Sequence, residues 1–565
     1  MKLCNDNNNN NMLRIMANNK KQKNNFSVAI LLIFSMGFLV GLVPYVVSYP
    51  FPIGYDVVNY YIPVTANFDQ HWSKISIQFP LYAYLLHLIN ITTGLSPYQS
   101  VIILASIMSG VFAISLFLLS TKLLNLSIEY SLFLSVFVIF QVAVLRTIWD
   151  LHRDLFTLSL MSLIFSLIYG KSGKDKEAEK EVELKDKEKQ SGKLVSIRRQ
   201  LQKHIIIRYL NFKSIPFIAS LTLLSALTSS ADRMTGGLFT ISIVIYSFAV
   251  VRTKVSILCA SIALFFFITA AVPSYNVIIN GIFQEQELTT TLKSPIIKSS
   301  SLISSNINDI DNNYNPINLL VLFIVITGLL LPTGIIGIKE LFKSKNVLII
   351  PLTITIILSF SWILFPYKES LVADRWIILS GVFLSIFSGY GLINLVQRIK
   401  IVSNNNSLLI KKYAKKIILL SVIAIFIVIG IIYEVMPTTQ AFVIYGITHK
   451  NIGSFMPLTM QINSVDIKDN QKLLASVSWI NNHTEHNAII IGEKHWRGFM
   501  ELYLRGNRTF YFSDNLYSLI NQLTLKNDVP MYLVKISDYK NGNTKSNNDL
   551  LFSANPFYVY KVEHH

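Results

Sequence analysis

Apolar runs close to the roughly 20 residues needed to cross a bilayer recur along this chain, and a segment in lipid must satisfy its own backbone as a helix. They fall at residues 26–48, 99–120, 130–148, 152–170, 214–231, 236–252, 255–273, 316–337, 347–365, 376–396 and 417–436. A chain of 565 residues, 52% hydrophobic and only 15% charged, patterned in this way is expected to be an α-helical polytopic membrane protein with about eleven transmembrane helices.

The basic residues order those spans. The formal charge of +18 is not gathered on one compact domain, which argues against a nucleic-acid partner. Roughly 30 of the 50 Lys and Arg fall in segments that alternate to one side, the positive-inside pattern. Residues 1–25 form an Asn-rich cytoplasmic tail, and the first span reads as an uncleaved anchor with its amino terminus inside. Residues 26–436 form the multi-span membrane domain, with a first outer loop at 49–98, a charged cytoplasmic loop at 171–213 and a second outer loop at 274–315. An odd count of spans leaves residues 437–565 outside, in the expected location of an integral cell-membrane protein. Only Cys4 and Cys259 occur, so no disulfide staples that exported part.

In the carboxyl-terminal part the hydrophobic period changes. The pattern predicts a helix at 466–481, a strand at 488–491, a helix at 496–504, a strand at 509–512, a helix at 515–525, and strands at 531–536 and 557–562. Such alternation indicates a small extracytoplasmic α/β domain.

Four short charged stretches sit where spans end, and the topology puts all four on the non-cytoplasmic side. They are Gly54-Tyr55-Asp56, Trp149-Asp150-Leu151-His152-Arg153-Asp154, Asp232-Arg233 and Asp374-Arg375. Charge at membrane depth is costly, so its repetition at helix ends facing one compartment points to a shared site. Asp56 could take a proton from an acceptor hydroxyl, or could cap an interfacial helix. Asp150 and Asp154 stand four apart. If the turn is helical they share one face, where they could position an acceptor, act as a second acid, or hold a divalent cation with further oxygen ligands. Arg153 points elsewhere from Asp154, because adjacent helical residues diverge by about 100°. Arg375 first, then Arg233, suit phosphate oxygens through their planar forks, the alternative being arginines that reach from a helix end to water. His483, His486 and His495 with Glu493 match no zinc-ligand spacing and read as structural or surface residues. The sequence specifies no cofactor and no metal, and it holds no Walker A, Rossmann or nucleophile-elbow motif.

This layout, with Gly54-Tyr55-Asp56, Phe79-Pro80-Leu81-Tyr82, Trp149 to Asp154 and Asp374-Arg375, resembles the GT-C superfamily of membrane glycosyltransferases. Its branch of dolichyl-phosphate-mannose protein mannosyltransferases and aminoarabinose transferases is the nearest in pattern. The resemblance implies a polyprenyl-phosphate sugar donor and an extracytoplasmic protein, glycan or lipid acceptor. It gives Asp56 the role of catalytic base, places Asp150 or Asp154 near the acceptor, and puts Arg153, Arg233 or Arg375 on the donor phosphate. The chain lacks the Trp-Trp-Asp-Tyr-Gly motif of oligosaccharyltransferases, and its first loop has neither an Asp-x-Asp nor an Asp-Glu pair, since Val57 follows Asp56. These departures set it apart from transfer to asparagine and to protein hydroxyls. One base opposite a phosphate leaving group implies inversion at the anomeric carbon, whereas retention would ask for a second carboxylate as nucleophile. Two other classes fit the composition: a transporter or flippase for a lipid or anion, which should show broken or charged helices near the midplane, and a cell-surface interaction subunit.

Overall fold

The computed structural model describes residues 5–50, 52, 54, 56–66, 68, 80–169, 222–251, 257–269 except 259, 316–363, 373–399 and 408–435 of the membrane part. In the carboxyl-terminal part it describes residues 467–492, 497–512, 516–524, 529–535 and 549–562. The two long loops expected at 171–213 and 274–315 lie outside the described residues.

The described membrane part is helical apart from short turns. In chain order its helices are α1 (Asn5–Ser48), a wide turn of π-helix (Val57–Tyr61) running into α2 (Ile62–Ala66), α3 (Pro80–Thr93), α4 (Pro97–Lys122), α5 (Ile128–Ile139), α6 (Val142–Asp150) and α7 (His152–Tyr169). After helical residues 222–231 come α8 (Arg233–Tyr246), α9 (Pro316–Thr327), α10 (Leu331–Lys343), α11 (Ile349–Ser359), α12 (Ala373–Arg398) and α13 (Leu408–Val435). Among the described residues four segments are long and apolar enough to cross a membrane, Asn24–Ser48, Pro97–Lys122, Arg375–Arg398 and Tyr413–Glu434, which makes the chain an integral membrane protein.

Two runs read from the sequence as single spans are broken. Ile128–Ile139 and Val142–Trp149 meet at a bend of 63°, and Leu319–Thr327 and Leu331–Lys343 at 75°. The second break follows from Gly328 and Pro332: the proline cannot donate to the preceding turn and fits at the start of a new helix. Counting each pair once gives six spans. Shorter apolar helices, Arg233–Ala249, Ala260–Thr269 and Ile349–Ser359, lie at three further expected positions.

Packing follows from where small residues fall. Helix α12 is the central element, with Ile377, Leu379, Phe383 and Phe387 all buried. It crosses α10 at Gly337 and Gly391, where a Cβ on either residue would collide with a backbone carbonyl of the other helix, Phe387 O or Thr333 O. Many buried hydroxyls spend their protons within their own helices, as Ser120 does on Leu116 O at 2.7 Å and Ser385 on Gly381 O at 2.6 Å, while Ser109, Ser225 and Ser229 are buried without a hydrogen bond among the described residues. By contrast α1 and α13 are peripheral and expose Leu31, Leu39, Ile417 and Leu420, the side chains a lipid-facing helix presents.

The carboxyl-terminal part is a mixed five-stranded sheet covered on both faces. Its strands are β1 (Ile489–Gly492), β2 (Thr509–Phe512), β3 (Met531–Lys535), β4 (Asp549–Ala554) and β5 (Phe557–Val562), in the order β2-β1-β3-β5-β4. Strands β2, β1 and β3 are parallel, and β5 runs antiparallel to β3 and β4. Alternation along β1 sends Ile490 to one face, against α14 (Ile467–His483) and α15 (Arg497–Tyr503), and Ile489 and Ile491 to the other, against α16 (Leu516–Thr524). The parallel centre explains why β1 reads as an uninterrupted apolar run. This domain rests on the end of the membrane part: the Tyr503 hydroxyl donates to Pro50 O at 2.9 Å, and Leu502 packs against the membrane core.

Candidate active site

The end of the membrane part that carries the sheet domain also gathers the charged helix ends. Gly54, with a φ of 95°, takes the left-handed turn that ends the run from α1 and delivers Asp56 inward. Asp56 precedes the turn Val57–Tyr61 but makes no side-chain capping bond to it. Its Oδ2 instead meets two guanidinium groups, Arg375 Nη2 at 3.1 Å and Arg153 Nη2 at 3.4 Å. The Tyr61 hydroxyl adds a longer hydrogen bond to the same oxygen at 3.5 Å. The capping alternative for Asp56 therefore does not describe its side chain.

Each arginine is held again at its Nε, by a different carboxylate. Arg153 Nε lies 3.3 Å from Asp232 Oδ1, and Arg375 Nε lies 3.2 Å from Asp154 Oδ2. Thr235 joins the two carboxylates: its backbone N–H donates to Asp232 Oδ2 at 2.9 Å, capping α8, and its hydroxyl donates to Asp154 Oδ1 at 2.6 Å. Asp154 is fully buried, and the side chain of Arg375 is only 14% exposed, so this is not an arginine reaching for water. Three carboxylates thus face two guanidiniums in a closed network drawn from four distant parts of the chain. Burial of such a set is sustained only by this mutual pairing.

Not every candidate joins it. Arg233, half-buried at the first turn of α8, makes no ion pair among the described residues, and its neighbour Asp232 takes the place in the network. The reason is the cap: with Asp232 turned inward onto Thr235, the next residue leaves on another face of the helix. The shared helical face proposed for Asp150 and Asp154 also fails. Helix α6 ends at Asp150, Leu151 is non-helical at φ −97° and ψ 50°, and α7 begins afresh at His152. The side chains of Asp150 and Asp374 lie outside the described residues, as do His495 and Glu493. His483 stacks on Trp479 and bonds to its carbonyl at 3.0 Å. Among the described residues no group of three or more His, Cys, Asp or Glu is disposed to hold a metal ion.

A second layer supports the charged network. His152 is fully buried, with the Tyr45 hydroxyl on Nε2 and the Tyr82 hydroxyl on Nδ1 at 2.8 Å. The Tyr45 hydroxyl also lies 3.2 Å from Trp149 O, so both ring nitrogens of His152 are met by tyrosine hydroxyls and the tautomer follows the proton of Tyr45. Tyr61, which touches Asp56, stacks on the same imidazole at 5.1 Å. Below it Trp149 stacks on Tyr433 and donates its indole N–H to buried Glu434 Oε2 at 3.1 Å. Sequence reasoning placed Asp232 and His152 within the charged stretches without giving either a role, and did not single out Thr235 or Glu434. Asp232 and Thr235 carried a signal, the Asp-x-x-Thr spacing of a helix start, whereas nothing local marked Tyr45 as the partner of His152.

No family model matches this sequence, and comparison with curated proteins gives no match. Among solved structures the chain is similar to ArnT from Cupriavidus metallidurans in the apo state, with a TM-score of 0.49 and 11% sequence identity over 94% of this chain and 97% of that one.

Proposed function

We propose that this protein is a membrane glycosyltransferase that moves a sugar from a polyprenyl-phosphate donor to an acceptor reached from the extracytoplasmic side. The reading is carried by the convergence of one carboxylate, Asp56, and two buried guanidiniums, Arg153 and Arg375, at one end of the helical bundle. Arg375 and Arg153 receive the donor phosphate, which their planar forks suit, and Arg233 is set aside. Asp56 takes the proton of the acceptor hydroxyl as its oxygen bonds to the anomeric carbon. The bond from that carbon to the phosphate oxygen breaks at the same time, and the phosphate leaves with the electron pair. Asp154 and Asp232 hold the arginines, so neither is needed as a nucleophile, and the expected outcome is inversion. No nucleotide is required, because the lipid phosphate is itself the leaving group.

Purified protein in lipid nanodiscs, given a polyprenyl-phosphate sugar and an acceptor mixture without nucleotide, tests this. Transfer should fall by about 100-fold to 10,000-fold in Asp56→Asn, the usual loss for a general base. A variant within a few-fold of the parent would remove Asp56 from the role. An anomeric assignment showing retention would reject single displacement.

The two bends of 63° and 75° favour a second reading, carriage of a lipid anion across the membrane. The breaks fall at Phe140-Gln141 and Gly328 to Leu330 and present no ionised side chain, so enzymatic transfer is the better account. Movement of a lipid phosphate between leaflets with no transfer product would reverse that preference.

A further inference from the structure

Helix α15 belongs to two interiors at once. Phe499 and Met500 are buried in the core that α14 shares with one face of the sheet, whereas Leu502 packs against the core of the membrane part. The end of α15 is fixed within the sheet domain by Asn481, whose amide donates to Tyr503 O at 2.8 Å and whose side-chain oxygen accepts from the Arg505 N–H at 2.9 Å. A helix of seven residues held in this way moves only with the domain that carries it.

On its other side α15 meets the segment that delivers Asp56. The Tyr503 hydroxyl donates to Pro50 O at 2.9 Å, ahead of Asp56, and α15 lies against the turn Val57–Tyr61 that follows it. From Pro50 a second route leads to the same carboxylate. Tyr49 stacks on Tyr98 at 6.3 Å, Tyr98 meets Tyr45 edge-on at 6.4 Å, and the Tyr45 hydroxyl meets His152 Nε2. Tyr61 stacks on that imidazole and reaches Asp56 Oδ2 at 3.5 Å. Burial lifts the Tyr503 hydroxyl to about 12, so it keeps its proton and stays a donor near neutral pH. Gly54 lies between the two contacts, and its φ of 95° marks a backbone with much freedom to lose. A carboxylate that must meet two guanidiniums needs to be held to about 0.5 Å, and a chain hinged at glycine supplies that when it is gripped on both sides of the hinge.

We infer that the sheet domain acts on the membrane site through α15: Tyr503 and Leu502 brace the chain from Pro50 to Tyr61 and so fix where the Asp56 carboxylate stands between Arg153 and Arg375. Tyr503 is then a positioning residue. The brace rests on the contacts of α15, and its consequence for transfer rests on the reading of Asp56 as base. It gives the carboxyl-terminal domain a part in the reaction that requires no ligand of its own.

Hydrogen exchange of the full chain in nanodiscs, read by mass spectrometry, tests the brace without any substrate. Tyr503→Phe keeps the ring and removes only the hydroxyl, and the amides of Val57–Tyr61 should exchange about fivefold or more faster than in the parent while those of α12 stay unchanged. Leu502→Ala loosens the same contact from its apolar side and should give the same local pattern. Tyr532→Phe deletes a hydroxyl elsewhere in the sheet domain and should leave Val57–Tyr61 as in the parent. Equal exchange at Val57–Tyr61 in Tyr503→Phe and the parent would overturn the brace, and so would faster exchange across the whole chain, which would reduce Tyr503 to general stability. Transfer kinetics test the consequence: turnover should fall about fivefold or more in Tyr503→Phe while farnesyl phosphate binds as tightly as to the parent. A loss confined to farnesyl phosphate affinity would reject action at Asp56. Absence of transfer in the parent itself would remove the glycosyltransferase reading, and the exchange rates would still decide the brace.

Discussion

Removing Arg375 should cost stability in a way that a second substitution repairs, while transfer stays lost. Its guanidinium faces Asp56 at 3.1 Å and fully buried Asp154 at 3.2 Å. Charges at that separation attract by about 5 kcal/mol at an effective dielectric of 20, an upper figure from which desolvation subtracts. Breaking a buried pair by deleting one partner typically costs about 3 to 5 kcal/mol, because the survivor is left buried and uncompensated. Arg375→Ala should therefore destabilise by roughly that amount, and Arg375→Lys by less, since an ammonium keeps the charge but cannot reach both carboxylates as a fork does. In Arg375→Ala with Asp154→Asn the orphaned charge is gone. The double variant should be more stable than the sum of the two single losses predicts, with a coupling energy of about 1 to 3 kcal/mol, the range for residues sharing one network. Equilibrium unfolding of the four proteins in mixed micelles supplies the cycle, and a transfer assay on the same samples should show no recovery. Additive losses within about 0.5 kcal/mol would refute the pairing as an energetic unit, and recovered transfer in the double variant would refute the role of Arg375 at the donor.

Tyr82→Phe deletes the hydroxyl that bonds His152 Nδ1 and leaves a buried ring nitrogen unsatisfied, a loss of about 1 to 3 kcal/mol read by unfolding; no change would reject that bond as a stabilising one. Gly337→Ala puts a methyl group against the Phe387 carbonyl of α12 and should destabilise by about 1 to 3 kcal/mol or more, whereas a neutral result would deny the close crossing of α10 and α12. In the sheet domain the Tyr532 hydroxyl donates to Glu485 at 2.7 Å, and that bond holds the Glu485 carboxyl below its ordinary range. A depressed carboxyl stabilises above its unfolded value and loses that contribution as pH falls through the folded one. The parent's advantage over Tyr532→Phe, about 0.5 kcal/mol because Glu485 is exposed, should thus be present at pH 7 and vanish in acid; an advantage that grows on acidification would contradict the assignment.

Helix positions in the membrane part were legible because an apolar run of that length has few alternatives. Breaks were less so. Gly328 and Pro332 announce one, but the bend at Phe140-Gln141 has no proline or glycine and depends on how α5 and α6 lean on α12 and α13. In the sheet domain the parallel strands β1 to β3 stand out as short apolar runs flanked by helices. Strand β4 does not: Asp549-Leu550-Leu551-Phe552-Ser553-Ala554 lacks alternation, Leu550 and Leu551 are exposed, and a register shift interrupts its pairing with β5. An edge strand of that kind is defined by the hairpin that carries it rather than by its own pattern.

The site was legible as a set of positions and illegible as a set of pairings. Charge at four helix ends could be read from composition alone, since each such residue is expensive unless something meets it. Which carboxylate meets which arginine depends on side-chain direction at helix starts, and there neighbours in sequence are poor guides. Arg153 and Asp154 adjoin but serve opposite partners, Arg153 on Asp56 and Asp232, Asp154 on Arg375 and Thr235. Asp232 and Arg233 adjoin, and only the acid turns inward, because an N-cap residue points its oxygen back over the first turn while the next residue leaves on the helical spiral. An acid that caps a helix and pairs a cation with its two oxygens is fixed in place by both. Asp232 is held in both ways, capping α8 through one oxygen and facing Arg153 with the other, and Thr235 links it to Asp154, which is why a residue without a role in sequence becomes part of the network.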